Sequence, residues 1–238
     1  MTPHINHQDA DKYVKALADI SRAVASEQYL EDILKLIVLV TAKVTNLEIC
    51  SLWMIEQKGG QKRIRLKATQ AIEPEYVKDR VLNMDQGVVG FVATHKTPII
   101  IKNVLRDDRF HEKAMAEKLG LASMAGIPML VRNQDVIGVL NCFTAEPHDF
   151  TETEVNLITA VAHQAAVAIH NTQLAMDAKI IREELETRKL VDRAKEVLVR
   201  QRQMPVDEAY RLIQKRSMDS RKPIREVAEA VLLSEGLY

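Results

Sequence analysis

From Thr151 to Gln203 the chain reads TETEVNLITAVAHQAAVAIHNTQLAMDAKIIREELETRKLVDRAKEVLVRQRQ, about fifty residues without a glycine or a proline. With no breaker present, the stretch predicts one long helix. Thr151 and Glu154 mark its start as a capping box, in which hydroxyl and carboxylate each satisfy an end-of-helix amide. Val167, Leu174 and Ile181 stand seven apart, and Asn171, Ala178 and Leu185 each follow four residues later. That is an a/d heptad seam, and it predicts a parallel two-stranded coiled coil. A solitary helix with an exposed apolar stripe is unstable in water, so a homodimer is expected. Asn171 in the seam costs stability but favours a dimer in one register.

Upstream of this helix the periodicity is mixed. Tyr13, Ala16, Leu17, Ile20 and Val24 fall at helical spacing and predict an N-terminal amphipathic helix within residues 1–28. A second helix begins near Tyr29, with Leu30, Ile33, Leu34, Ile37, Val40 and Val44 on a stripe broad enough to pack on a sheet. Residues 47–56 and 63–72 read as strands joined by Gln57-Lys58-Gly59-Gly60-Gln61-Lys62, a hairpin signature. A short helical piece is expected near Pro74. Thr97-Pro98-Ile99-Ile100-Ile101 reads as a further strand, and residues 110–119 as an exposed helix or cover ending at Gly120. A second hairpin is expected from residues 123–131 and 134–143 around Arg132-Asn133-Gln134-Asp135. The sheet therefore has five or six strands. Downstream, Pro205-Val206-Asp207-Glu208 opens a helix whose inner side carries Ala209, Leu212, Ile213 and Met218. Another begins near Pro223 with Ile224, Val227, Ala228, Val231 and Leu232 inside, completing a three-helix bundle.

The 238 residues are 47% hydrophobic and 28% charged, with 8 Gly and 7 Pro. This composition belongs to a globular chain able to bury a core, and it excludes disordered and collagen-like classes. No apolar run approaches the roughly 20 residues needed to cross a bilayer, so no membrane partner is expected. The N-terminus lacks the pattern of a secretion signal, and a cytoplasmic location follows. Cys50 and Cys142 lie in apolar segments and are too few for a disulfide framework or a zinc cage. His95, His111, His148 and His163 show no metal spacing, so no metal site is expected. Gly87-Val88-Val89-Gly90 is not followed by Lys-Ser and makes no phosphate loop.

Thirty-three basic side chains balance thirty-three acidic ones, but unevenly. Residues 1–187 carry 21 basic and 25 acidic side chains, whereas residues 188–225 carry 12 and 5. A basic stripe of this kind can neutralise phosphates, or can be an ordinary solvated helix face. Tyr210 among the basic residues is a platform on which an unpaired base could stack.

The run Val191-Asp192-Arg193-Ala194-Lys195-Glu196-Val197-Leu198, followed by Asp207-Glu208-Ala209-Tyr210-Arg211-Leu212-Ile213, Arg216-Ser217-Met218 and Val227-Ala228, closely resembles the ANTAR domain. That family comprises three-helix RNA-binding modules of bacterial antiterminators, which hold paired hairpin loops of nascent transcripts and prevent a terminator from forming. The resemblance implies an RNA site at Arg193, Ala194, Lys195, Tyr210, Lys215 and Arg216. On it, Ala194 is a small solvent-facing residue that lets RNA approach, Lys195 and Arg216 meet phosphate or base edges, and Tyr210 stacks. Glu196 stands where the family often has glycine, and Ser217 where it has alanine.

Residues 29–170 resemble a GAF domain through Gly87-Val88-Val89-Gly90-Phe91-Val92, Pro98-Ile99-Ile100-Ile101-Lys102-Asn103-Val104, and Ile137-Gly138-Val139-Leu140 followed by Phe150-Thr151. The implied fold is α+β: an antiparallel sheet of about six strands with helices and a small-molecule pocket. A coiled-coil linker at 171–187 would join it to the all-α ANTAR bundle at 188–238. The implied function is a dimeric, signal-responsive antitermination regulator that is not an enzyme. Its GAF domain would sense a small molecule or a signalling protein, and its ANTAR domains would bind tandem stem-loops of RNA. The cyclic-nucleotide and bilin signatures of GAF relatives are missing, so ligand and cofactor stay unassigned. The run at residues 36–40 ends in Thr41-Ala42-Lys43, with no aspartate for a phospho-receiver. Two other readings remain: a methionine sulfoxide reductase-like redox enzyme using Cys50 and Cys142, which lacks an evident resolving thiol, and a DNA-binding helix-turn-helix regulator.

Overall fold

The computed structural model describes residues 18, 30–71, 80–132 and 135–234. Apart from Ala18, which is helical, the expected N-terminal helix lies outside the described residues, as does the piece near Pro74. The chain divides into two compact units, Met1–Gln173 and Leu174–Tyr238.

In the first unit, helix α1 (Leu30–Thr45) turns Ile33, Leu34, Ile37 and Val38 inward, with Glu31 and Asp32 at its positive end and Lys43 at its negative end. Strands β1 (Ile49–Lys58) and β2 (Gln61–Thr69) form the expected hairpin, and Gly59 and Gly60 make its turn at φ 59° and 81°. These angles are open to glycine without the Cβ clash that other residues meet. Then come β3 (Val81–Asn83), α2 (Gly87–His95), β4 (Ile99–Ile101), α3 (Lys113–Leu119), β5 (Ser123–Leu130) and β6 (Val136–Thr144). All pairings are antiparallel, in the order β3-β2-β1-β6-β5-β4. The six-stranded antiparallel sheet thus agrees with the sequence reading, except that three-residue β3 carried no signal of its own.

Alternation sends successive side chains to opposite faces of the sheet. One face takes Cys50, Leu52, Ala125, Ile127, Leu140 and Cys142 into a core with α1 and with Ile158, Ala162, Ala165 and Ile169 of the long helix α4 (Glu152–Arg202). The other takes Trp53, Ile64, Met124, Val139 and Phe143 against α2 and α3. The sheet is therefore a double-sided partition with an apolar layer on each side.

The capping box forms as expected. Thr151 donates from its backbone N–H and its hydroxyl to Glu154 Oε2 at 2.7 and 2.9 Å, and Glu154 N–H donates back to Thr151 Oγ1 at 3.2 Å. Burial raises the Glu154 carboxyl, but these bonds and the one to His148 outweigh it and hold the group below its ordinary range. Along α4 the seam positions Val167, Leu174, Ile181 and Leu185 are 45, 53, 65 and 51% exposed, and Asn171 and Ala178 are exposed with them.

The second unit packs the end of α4 with α5 (Val206–Ser220) and α6 (Ile224–Ser234). Val191, Ala194, Val197 and Leu198 meet Ala209 and Ile213 of α5 and Val227, Ala228, Val231 and Leu232 of α6. One inner position is corrected: Met218 is 68% exposed. It lies five residues beyond Ile213, about 140° further round the helix, so it misses the buried stripe. Among the described residues no helix is long and apolar enough to cross a membrane.

Candidate nucleic-acid interface

The bundle's surface is set by what its core consumes. Ala194 is completely buried among Val191, Val197, Leu198, Ala209 and Ala228. Its expected solvent-facing place is therefore corrected. It is small because three helices close on it, and it can shape an RNA surface only through packing. One residue on, Lys195 emerges from the same turn. Its Nζ lies 2.6 Å from Asp192 Oδ1 and 5.8 Å from the centroid of the Tyr210 ring. Tyr210 is 42% exposed although every neighbouring apolar side chain of α5 that points inward is covered. The hydrogen bond from Lys195 lowers the Asp192 carboxyl below its ordinary range, so the partner of Lys195 is an ionised carboxylate.

Lys195, Asp192 and Tyr210 line a groove of about 580 Å³ together with Arg188, Glu184 and Ile224. Lys195 and Asp192 also border a second groove of about 710 Å³ that holds Arg200 and Val206. Lys195 is thus a ridge shared by two open troughs, with an aromatic face beside it. A cation close to an exposed ring, here 5.8 Å from its centroid, sets a stacking surface for a base beside a charge for the attached phosphate.

The remaining candidates are not gathered there. Arg193 and Lys215 are exposed, and Arg216 borders a groove of about 540 Å³ with Asp219, Lys222 and Glu226 between α5 and α6. Lys215 and Arg216 follow Tyr210 by five and six residues, about 140° and 240° round α5, so they look in other directions. Arg188 and Arg200, members of the basic stripe, belong to the Lys195 neighbourhood, as does Asp192, which was missed as a site residue. The i,i+3 spacing of Asp192 and Lys195 was the available signal.

The first unit holds a cavity of about 70 Å³ lined by Gln86, Gly87, Val88 and Val89 at the start of α2, by Phe110, Met115 and Phe143, and by Asn141. Asn141 is buried and its Oδ1 has no hydrogen-bond partner. Its neighbour across the ladder is Gly126, where a Cβ would stand 3.2 Å from that oxygen, so glycine leaves the carboxamide its room. The first amides of a helix also lack intrahelical acceptors, and those of α2 lie at this cavity. Cys50 and Cys142 are on the opposite face of the sheet, packed under α1 and α4. Among the described residues no cluster of His, Cys, Asp and Glu could hold a metal ion.

A GAF domain model matches residues 29–169, and an ANTAR domain model matches residues 180–232. The chain belongs to the GAF family and carries an ANTAR domain. The Transcriptional regulatory protein PdtaR of Mycobacterium tuberculosis is 42% identical to this GAF-ANTAR protein over 159 residues, 63% of this chain and 75% of that one. The Methyl sulfide methyltransferase-associated sensor of Methanosarcina acetivorans is 22% identical over 172 residues, 71% of this chain but 17% of the sensor. The chain therefore spans under a fifth of that relative's length. In fold, the GAF domain of a phosphoenolpyruvate-protein phosphotransferase from Coxiella burnetii superposes with a TM-score of 0.61 at 23% identity, covering 71% of this chain and 98% of that one. The free methionine-R-sulfoxide reductase from Neisseria meningitidis gives 0.56 at 16%, covering 68% and 91%.

Proposed function

We propose that this GAF-ANTAR protein is a signal-responsive antitermination regulator whose ANTAR bundle binds tandem hairpin loops in nascent leader RNA. The observation that carries the reading is the Lys195–Tyr210 pair, an exposed ring with an ammonium over it, 5.8 Å from its centroid, on a basic bundle. An unpaired loop base stacks on the ring while Lys195, shared between two troughs, neutralises the adjoining phosphate.

Two such bundles are brought together through the heptad positions of α4, whose apolar members are half exposed in the single chain. The cavity beside Asn141 receives the signal, and a ligand that binds one state of the dimer better than the other shifts the population competent for RNA. The redox-enzyme reading is the weaker one, because both thiols face away from that cavity and are buried. Titration of the full chain with a fluorescent tandem-hairpin RNA, a single hairpin and a duplex DNA of equal length tests the proposal. Preference for the tandem hairpins, falling steeply with salt, is expected. Equal affinity for all three would overturn it.

A further inference from the structure

Cys50 and Cys142 are directly opposed on the central strands β1 and β6, with Sγ atoms 3.5 Å apart. Each is therefore the resolving partner that the other lacks in sequence, 92 positions away. The backbone of Cys50 is engaged on its other side: its N–H donates to Gln70 Oε1 at 2.6 Å, and its carbonyl accepts from Gln70 N–H at 3.3 Å. Amide and carbonyl of one strand residue point the same way, so toward β6 Cys50 and Cys142 form a non-hydrogen-bonded pair. In such pairs the Cα atoms approach to about 4.5 Å, at the short end of the range a disulfide spans. The neighbouring pair Leu52 and Leu140 shares this register and this face.

We propose that Cys50 and Cys142 are a reversible thiol–disulfide site, by which a peroxide oxidant acts on the sensor domain from the face opposite its cavity. One thiolate attacks a peroxide oxygen; the O–O bond breaks, the sulfur becomes a sulfenic acid, and the departing hydroxide takes up a proton as water. The second thiol then attacks the sulfenic sulfur, forming the S–S bond and releasing a second water. Overall two thiols lose two protons and two electrons, and one hydrogen peroxide becomes two waters. Two molecules of a small thiol reverse the change, becoming a disulfide themselves.

In the resting state both thiols are fully buried. The contact with Cys50 and burial push the Cys142 thiol well up, so the closed pair is unreactive. Oxidation therefore proceeds through opening of the layer formed by α1 and the first turns of α4. That layer includes Ile158, Ala162 and Ala165, which share one buried core with the pair, so closing the sulfurs alters the core on which α4 starts. The inference is independent of RNA binding.

The full-length chain is treated with hydrogen peroxide under native conditions, quenched, unfolded and alkylated with a maleimide, then weighed before and after dithiothreitol. The expected product is a monomeric chain lighter by two hydrogens that takes up no maleimide, with both labels restored by dithiothreitol. Peptide mapping should link Cys50 to Cys142. C50A and C142A, which keep an apolar side chain in the core, should each leave a sulfenic acid captured by dimedone and no intramolecular bridge. Retention of both labelled thiols by the folded wild-type chain, or disulfides only between chains, would overturn the proposal. Circular dichroism of the oxidised wild-type chain secures the result if either variant fails to fold.

Discussion

Replacing Ile181 by aspartate should take the proposed dimer apart while leaving each chain folded. Ile181 is 65% exposed in the single chain, so about two thirds of its apolar surface remains to be covered by a partner. Burying a whole isoleucine contributes about 1.5–3 kcal/mol, so this fraction contributes about 1–2 kcal/mol per chain, and about 2–4 kcal/mol for the symmetric pair. A rise in the dimer dissociation constant of roughly 30- to 700-fold follows, before the extra cost of opposing two carboxylates. The side chain contributes nothing to either unit's buried core, so the melting of the monomer should be unaffected. Sedimentation equilibrium across a wide concentration range reads the change, with Lys179→Ala, one position past Ala178 and off the seam, as the control. An unchanged dissociation constant for Ile181→Asp, or equal weakening by Lys179→Ala, would refute the heptad argument.

Thr151→Ala should cost about 1 kcal/mol in urea denaturation, because it removes both the hydroxyl and the reciprocal geometry of the capping box. Glu154 sits below its ordinary range when folded, so its contribution is full at neutral pH and is lost as pH falls through that lowered value; the mutant should show a flatter acid limb in a stability–pH profile. Ala194→Leu should destabilise the bundle by about 1–3 kcal/mol through overpacking, seen as loss of its helical melting transition, whereas a solvent-facing position would tolerate it. Asn141→Leu should raise thermal stability by about 1 kcal/mol or more by removing an unpaired buried acceptor, while abolishing any ligand-dependent change in RNA affinity.

The elements with strong local signals were legible: the unbroken run to Gln203, the Thr151/Glu154 cap and the Gly59-Gly60 hairpin each carry their own chemistry. Strand β3 was not, because three residues paired to β2 depend on a partner rather than on periodicity. The site was half legible. Lys195 and Tyr210 were singled out separately, and their meeting depends on how α4 and α5 pack. Ala194 was placed on the wrong side by the family resemblance, and its spacing with Val191, Val197 and Leu198 is what marks the inner stripe. The cysteines illustrate the same limit: residues 92 apart in sequence become neighbours through ladder register, which composition does not encode.

The most direct test of the central claim is the affinity of wild-type protein and a Lys195→Ala/Tyr210→Ala double variant for one tandem-hairpin RNA, measured by fluorescence titration at several salt concentrations. Stacking on an aromatic contributes about 1–3 kcal/mol per base, so the double variant should bind at least roughly fivefold more weakly. Loss of one phosphate contact should also reduce the salt slope by about 0.7. A folded double variant that matches the wild type in both affinity and slope would contradict RNA recognition by this pair.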